Sequence, residues 1–506
     1  MTTTSESLRG PWWGPQNQTG PPNPIFTTSL FALANKRLDA GVTLLLVTLI
    51  ALSRFVAFPA SIWEQDEAYF SAAVVDFDVT ANHPHPPWFP LWIALGKLLH
   101  LVVDDPAKSL QIVSCAASVW IIFPLTALFA LWLRRDLAIA AALLFLFTPV
   151  TLILSCRAFS GLPATALLAA GFAFWLRKDG GERGAFSGSV VSGLCLLIRP
   201  HLLLAVAAVC GYRILRSRMW RERMLVVGPL VVVVLAGFGA VAIDAGGIGP
   251  LRDALTEHGQ YHFGSLAGAT LGFADSGLSR AFLLPALALL WSAMVLFGIF
   301  TSVHNRRRLP VAGAVAFLGL LPLVIAVGFF SYAGNVRYFL PIVALGSGFA
   351  VLGLALVVKR WTLAVAAAVC VATFVSAQPA LSEYRQIQSP PIRGVAAALS
   401  RAGERGAVIV ADRSLAAFFD YQRSRDDIGF TVLFDSQIGS ETVAPPAWLT
   451  VAIYDHASGF AVNRSESKTT FEVGNWWLER LSQGRFLRIS VASGAVLEST
   501  NGDFEE

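Results

Sequence analysis

The sequence predicts an α-helical polytopic membrane protein with a small α/β domain at its C-terminal end. Three observations support this fold class. The 506 residues are 55% hydrophobic and only 14% charged, whereas soluble domains carry about 25% charged residues. Apolar runs recur along the chain as far as about residue 380, with basic clusters between them. From Glu383 onward the composition becomes polar, which is typical of a separate domain outside the membrane.

The charge balance and the cysteines exclude two other classes. The net charge is +5, but the basic residues lie between apolar runs, as membrane topology requires, so nucleic-acid binding is not expected. The cysteines all lie in or at the ends of apolar segments, which predicts small core residues rather than disulfides or a metal site. They are Cys115, Cys156, Cys195, Cys210 and Cys370.

The N-terminal part predicts a tail, a first span and a first loop. Residues 1–38 are rich in Thr, Gly, Pro and Asn and predict a flexible cytoplasmic tail. Val42–Ala60 is apolar and long enough to cross ~30 Å of hydrocarbon. Lys36 and Arg37 precede it, which places the N-terminus inside and the first loop, residues 61–109, outside. Within that loop, the stretch Trp88–Val103 is expected to lie in the interface plane.

The remaining apolar runs complete a transmembrane catalytic domain, predicted over residues 39–382. With every basic cluster cytoplasmic, the chain crosses about eleven times and its C-terminus lies outside. The expected location is the inner (plasma) membrane of a bacterium. Residues 186–212 must cross twice, so they predict two short helices, buried in protein, that meet at Arg199 and Pro200. The runs are 110–133, 138–154, 162–176, 186–198, 201–212, 224–243, 281–300, 311–330, 338–358 and 361–379.

Residues 383–506 predict a small extracytoplasmic α/β domain of a size that folds on its own. Short strands are predicted at 407–411, 431–434, 448–454 and 486–491, and helices at 415–423 and 475–481.

Two adjacent carboxylates in the first loop are the strongest chemical signal. Asp66 and Glu67 directly follow the first span and are flanked by Trp63 and Tyr69. An acidic pair in a loop is usually only solvated. Beside a membrane and aromatic rings, however, a carboxylate is partly desolvated and is able to act as a base toward a hydroxyl.

Three arginines are expected at the outer ends of helices, against the usual charge bias. Arg157, Arg199 and Arg337 each have a simple alternative explanation, since a guanidinium at a helix end snorkels at little cost. If the three converge near His83 and His85, they form an anion site, because the guanidinium fork binds phosphate in two places.

A later loop holds two further histidines. His258 and His262 are four residues apart and would share one face of a helix. Without a third ligand they indicate a metal only weakly, and hydrogen bonding to a sugar is an equal alternative. A divalent cation is therefore possible, and no cofactor is predicted with certainty.

These motifs together resemble the GT-C glycosyltransferases, in particular the protein O-mannosyltransferases and the lipid A aminoarabinose transferase. Trp63-Glu64-Gln65-Asp66-Glu67 with Tyr69 resembles their first-loop acidic motif. His85-Pro86-Pro87-Trp88 resembles the basic-Pro-Pro segment that follows it. Gly193 to Pro200 is similar to their short paired helices, and Arg337-Tyr338-Phe339 to a late Arg-Tyr motif. The resemblance covers about residues 40–380.

The resemblance implies transfer of a sugar from a polyprenyl-phosphate donor, usually with inversion, to a hydroxyl of a lipid, glycan or protein on the outer face of the membrane. It implies that Asp66 is the general base and Glu67 its acidic neighbour. His85 stands where members of the family commonly have a lysine that contacts the donor phosphate. The predicted phosphate contacts are His85, Arg199, Arg337 and Arg157. The predicted substrate contacts are Trp63, Tyr69, His83, Tyr338, His258 and His262.

A transporter or flippase of lipid-linked sugars is the alternative. Such a protein would use the same anion site without chemistry and would place polar residues along a path through the membrane. The apolar runs contain few such residues, and the candidate polar residues collect on one face, which favours an enzyme.

Overall fold

The computed structural model describes most of the membrane region and the regular elements of the C-terminal part. The described residues are 40–263, 276–304, 310–330, 335–405, 408–411, 415–426, 432–434, 449–454, 460–464, 467–472, 474–482, 488–493 and 496–499. The predicted tail, residues 1–38, lies outside this set.

The described part of residues 40–405 is almost entirely helical. The first helices are α1 (Ala40–Val56), α2 (Gln65–Val75), α3 (Pro90–His100), α4 (Pro106–Trp120), α5 (Ile122–Phe129), α6 (Arg135–Leu146), α7 (Pro149–Leu154), α8 (Gly161–Leu176), α9 (Gly181–Ile198) and α10 (Leu203–Arg216). They are followed by α11 (Trp220–Asp244), α12 (Ile248–Phe263), α13 (Gly277–Ala281), α14 (Pro285–His304), α15 (Pro310–Ala314), α16 (Leu321–Phe330), α17 (Leu340–Val358), α18 (Thr362–Gln386) and α19 (Pro390–Arg405).

Several of these helices are long and apolar enough to cross a membrane. By length and composition, five helical stretches of the described residues qualify: Pro106–Phe129, Trp220–Asp244, Pro285–His304, Pro310–Val327 and Val336–Arg401. Ala40–Val56 and Gly161–Leu176 are apolar but shorter. The chain is therefore an integral membrane protein, and the count of about eleven crossings stays a prediction.

Helices α8 and α17 form the centre of the bundle, since nearly every residue of each is buried. On the outside of the bundle, α14 packs against α17 through glycine. A Cβ at Gly298 would overlap the backbone of Phe349, and one at Gly353 would overlap the backbone of Met294. Small residues allow such close approach between apolar helices, which gain their stability from packing.

The predicted break at Arg199 and Pro200 is confirmed, but the helix before it has 18 residues and is not short. Helix α10 is also only partly buried, since Leu203 and Leu204 are exposed. Helix α9 ends at Ile198, a 3₁₀ turn follows at Pro200–Leu202, and α10 begins at Leu203. Proline lacks the N–H that a continuous helix would need at this point, so the backbone bends there. The bend turns Arg199 out of both helices.

The C-terminal part is an α/β unit, as predicted, with more elements than the sequence pattern indicated. The strands are β1 (Val408–Ala411), β2 (Val432–Phe434), β3 (Leu449–Tyr454), β4 (Phe460–Arg464), β5 (Ser467–Glu472), β6 (Arg488–Ser493) and β7 (Val496–Ser499). Five of them form a sheet in the order β2-β1-β3-β6-β5, and β4 pairs with β7. Its helices are α20 (Ala416–Asp426) and α21 (Trp476–Ser482).

This unit shares its core with the first loop. Ile62, Ala68 and Ala107 of the first loop belong to one buried cluster with Phe418 and Ile489 of the C-terminal unit. Helix α18 also runs on to Gln386, past the predicted domain boundary at Glu383. The boundaries 39–382 and 383–506 stay predictions, and the two parts pack as one body around the first loop.

Candidate active site

The start of helix α2 fixes the position of both loop carboxylates. Glu64 is the N-cap residue of α2, and Glu67 is its third residue. Each side chain accepts a hydrogen bond from the backbone N–H of the other, which is the reciprocal capping box. Asp66 and Glu67 are adjacent in a helix, so their side chains diverge by about 100°. The two carboxylates therefore have different surroundings.

The Glu67 carboxylate is completely buried and fully hydrogen-bonded. Its Oε2 accepts from the N–H of Trp63 at 2.8 Å and from the Nε of Arg157 at 3.1 Å. Its Oε1 accepts from the N–H of Ala158 at 2.9 Å. The side chain has 0% exposure. Glu67 joins α2 to the segment between α7 and α8, and this arrangement favours a positioning role for it.

Asp66 lies on the accessible side of α2 and is 24% exposed. Its Oδ2 is 2.6 Å from Nη2 of Arg337 and 3.8 Å from Nε2 of His85. Burial of the carboxyl would raise its pKa, but the charges of Arg337, His85 and Arg199 outweigh burial and hold that pKa below its usual value. Asp66 is thus ionised and paired with a cation.

The three predicted arginines do converge, but their partners differ. Arg157 is paired with both Glu64, at 2.8 Å, and Glu67. Arg337 pairs with Asp66 and lies 3.6 Å from Glu64. Arg199 has no carboxylate within 4 Å among the described residues. It donates only to neutral oxygens, Oγ of Ser160 at 3.1 Å and the carbonyl of Arg337 at 3.3 Å.

A buried cation without a counter-ion is costly in a low-dielectric interior. Arg199 is 4% exposed, and its guanidinium lies 5.3 Å from the ring of Tyr338. The guanidinium of Arg337 lies at the same distance from that ring. Both guanidinium groups thus lie beside the ring of Tyr338, where a bound anion would offset the cost of burying Arg199.

Short local structures place these arginines. Arg199 occupies the bend between α9 and the following 3₁₀ turn. Arg337 lies in the 3₁₀ turn Val336–Phe339, whose N-cap Asn335 accepts from the Arg337 N–H at 3.3 Å. Both side chains therefore extend from tight turns at helix starts, where the backbone is constrained on both sides.

His201 is a site residue that the sequence reasoning missed. Its ring is 5.3 Å from that of Tyr338, and its Nε2 is buried without a hydrogen-bond partner among the described residues. Its position two residues after Arg199 was the only signal in the sequence.

The proline-rich turn of the first loop presents His85 to Asp66. The backbones of Asp78 and His83 exchange two hydrogen bonds, at 2.9 and 2.8 Å, which closes the loop before the prolines. The His85 ring then stacks on Phe70 at 5.4 Å and on His258 at 5.6 Å. The structure places His85 beside the proposed base.

His83 faces the C-terminal unit. Its Nε2 lies 3.9 Å from Oδ2 of Asp420 in helix α20, and its ring lies 6.5 Å from that of Tyr69. Tyr69 stands between the two histidines, at 6.1 Å from the His85 ring. Asp420 is a second residue that the sequence reasoning did not select, because nothing local to α20 indicates its contact with the first loop.

The remaining predicted contacts divide into two groups. Trp63 is 4% exposed, and its ring packs 4.9 Å from that of buried Tyr384. Its contact with substrate stays a prediction. His258 reaches the site through its stacking on His85, whereas the side chain of His262 lies outside the described residues. Among the side chains that the structure describes, no three His, Cys, Asp or Glu residues are arranged to hold a metal ion.

No protein-family model matches the chain, and no curated protein matches its sequence.

Solved structures do resemble the chain. ArnT from Cupriavidus metallidurans, bound to undecaprenyl phosphate, matches with a TM-score of 0.54 and 12% identity, covering 90% of this chain and 98% of that one. The oligosaccharyltransferase AglB from Archaeoglobus fulgidus matches with a TM-score of 0.47 and 14% identity over 76% of this chain. This chain spans only 64% of AglB. The arabinofuranosyltransferase AftD from mycobacteria matches with a TM-score of 0.49 and 13% identity, covering 87% of this chain and 38% of that one.

These structural neighbours are GT-C glycosyltransferases. At 12% identity, the match to ArnT establishes a common fold.

Proposed function

We propose that this chain, which has the GT-C fold, is a glycosyltransferase that moves a sugar from a polyprenyl-phosphate donor to a hydroxyl acceptor on the outer face of the membrane. The observation that carries the proposal is Arg199, a buried cation with no carboxylate partner among the described residues, beside the ion pair of Asp66 with Arg337. An anion site next to an ionised carboxylate suits a reaction that needs both a base and a stabilised phosphate leaving group.

The proposed reaction begins with the donor phosphate near Arg199, Arg337 and His201. The acceptor hydroxyl attacks the anomeric carbon and gives its proton to Asp66, while the bond from that carbon to the phosphate oxygen breaks. The phosphate thereby gains one negative charge. Guanidinium groups held in place before the reaction stabilise such developing charge most effectively.

The ion pair between Asp66 and Arg337 gives the donor phosphate a second role. While Arg337 binds Asp66, it lowers the basicity of the carboxylate. A phosphate that draws Arg337 toward itself weakens the pair and leaves Asp66 a stronger base. Asp66 therefore becomes a fully active base only when the donor is bound.

Glu67, Glu64 and Arg157 have a supporting role in this proposal. Their carboxylates and guanidinium form hydrogen bonds with one another and with the backbone. They fix the start of α2, and with it the position of Asp66. Arg157 is then a positioning residue rather than a direct phosphate contact, and His85 orients Asp66 or the acceptor.

The test uses the purified full chain in lipid nanodiscs. ArnT from Cupriavidus metallidurans binds undecaprenyl phosphate, so that lipid is the first probe for binding. Synthetic polyprenyl-phosphate sugars are then offered with hydroxyl acceptors, and products are identified by mass spectrometry. We expect binding and a glycosidic product that disappears in Asp66→Asn. A wild-type chain that moves lipid-linked sugar across the bilayer without a product would instead support the transporter alternative.

A further inference from the structure

Helix α20 of the C-terminal unit lies against the proposed active site. Helix α20 packs along α2, the helix that carries Asp66. Its buried residues Ala417 and Phe418 share one apolar cluster with Ala68 of α2 and Ile62 just before it. A helix that packs directly on α2 is able to set the position of α2 relative to the rest of the site.

Polar contacts reinforce this docking on both sides of α2. The hydroxyl of Tyr421 donates to Oδ1 of Asp105 at 3.3 Å, next to the start of α4. Ser389 donates through its N–H to Oγ of Ser61 at 2.8 Å and through its hydroxyl to the carbonyl of Ile62. The C-terminal unit is thus attached to the first loop before and after the catalytic helix.

The proline-rich turn faces two carboxylates, in each case at a distance longer than a hydrogen bond. His83 faces Asp420 of α20 at 3.9 Å, and His85 faces Asp66 of α2 at 3.8 Å. Between and after them, Pro84 and Pro86 are buried and have a fixed backbone φ. Because the turn has little freedom, a shift at His83 moves His85, and with it the environment of Asp66.

We propose that α20 is part of the catalytic apparatus and that Asp420 is a positioning residue. It acts through His83 to hold the His83–His85 turn at the position in which His85 meets Asp66. The inference rests on the proposed function for its catalytic readout, but its structural readout is independent of any activity.

The test replaces Asp420 by Asn in the full chain, with Glu472→Gln as the matched control. Glu472 lies in the same unit, is 65% exposed, and pairs with exposed Arg488 at 3.5 Å. Hydrogen–deuterium exchange in nanodiscs follows the amides of residues 76–89. We expect faster exchange there in Asp420→Asn and wild-type exchange in Glu472→Gln. Equal exchange in Asp420→Asn and wild type would overturn the proposal.

The kinetic readout separates positioning from general destabilisation. We expect kcat for sugar transfer to fall about 10-fold in Asp420→Asn, within the ~10²-fold that a misplacement of 1 Å costs. Affinity for undecaprenyl phosphate should stay at the wild-type value. The double variant with His83→Asn should be no slower than the single variants, because residues acting as a unit are not additive. Equal losses in lipid affinity and kcat would overturn the proposal.

The two proposals fail in different ways. If wild type binds lipid and transfers no sugar, while exchange at residues 76–89 still responds to Asp420→Asn, the proposed function fails and the positioning role stands. If wild type transfers sugar and Asp420→Asn changes neither exchange nor kcat, only the positioning role fails.

Discussion

Nη2 of Arg337 and Oδ2 of Asp66 lie 2.6 Å apart, although the two residues belong to opposite ends of the membrane region. The first loop supplies the carboxylate, and the turn before α17 supplies the guanidinium. The Nε of Arg337 is also buried without a hydrogen-bond partner among the described residues. The ion pair thus joins the proposed base to a guanidinium that still has an unused hydrogen-bond donor. An incoming phosphate would accept a hydrogen bond from that donor.

Replacing the proposed base should remove chemistry and spare binding. We expect Asp66→Asn to lower kcat by about 10²- to 10⁴-fold, the usual contribution of general base catalysis. Affinity for undecaprenyl phosphate should be retained, since Arg199 is untouched. Asp76→Asn, at the exposed far end of the same helix, is the control and should remain active. Full activity in Asp66→Asn would exclude this residue as the base.

The pH dependence of kcat/KM should show the effect of the ion pair between Asp66 and Arg337. Activity requires ionised Asp66, so it is lost as the pH falls through the Asp66 pKa. Because Arg337 helps to hold that pKa below its usual value, the acid limb of the wild-type profile should lie below the ordinary range of an aspartate. In Arg337→Gln the acid limb should move to higher pH, whatever the loss in rate. If the acid limb of Arg337→Gln lay at the same pH as that of the wild type, the result would contradict an ion pair between Asp66 and Arg337.

Arg199 should determine affinity for the lipid phosphate. A charge-assisted hydrogen bond contributes about 1.5–3 kcal/mol, so Arg199→Gln should weaken undecaprenyl phosphate binding by about 10- to 100-fold. Arg177→Gln removes an arginine that pairs with exposed Asp179 and serves as the control. Equal affinities in the two variants would show that the anion site lies elsewhere.

Replacing buried Glu67 should destabilise the protein more than replacing an exposed glutamate does. Breaking one partner of a buried ion pair costs about 3–5 kcal/mol, so Glu67→Gln should lower the free energy of unfolding by that order. The Tm of the protein in detergent measures the effect. Glu182→Gln breaks an exposed pair with Arg221 and should change Tm little. A loss for Glu67→Gln no larger than this control would show that the buried network is not needed for stability.

The sequence predicted the parts of the site that are coded locally. Asp66 and Glu67 were recognisable because two acids directly follow an apolar span, and Arg199 because a proline interrupts a run too short to cross twice. The sequence did not indicate how the surroundings of Asp66 and Glu67 would differ. Which of two adjacent carboxylates is buried depends on Arg157 and the backbone of Ala158, which come from a different segment.

The contacts that the sequence reasoning missed are long-range. Asp420 and His201 lie in ordinary helix and turn sequence, and their closeness to the candidate site appears only in the folded chain, where α20 packs on α2 and Tyr338 contacts His201. Strands β4, β5 and β7 were also missed. Short strands are defined largely by their neighbours, so a single run of residues carries little signal for them.

The apolar cluster shared by the first loop and the C-terminal unit has a consequence for how the protein is made. Synthesis proceeds from the N-terminus, so Ile62, Ala68 and Ala107 are complete long before Phe418 and Ile489, which cover them. The face of α2 that carries Ala68 is therefore covered only after α20 has been translated.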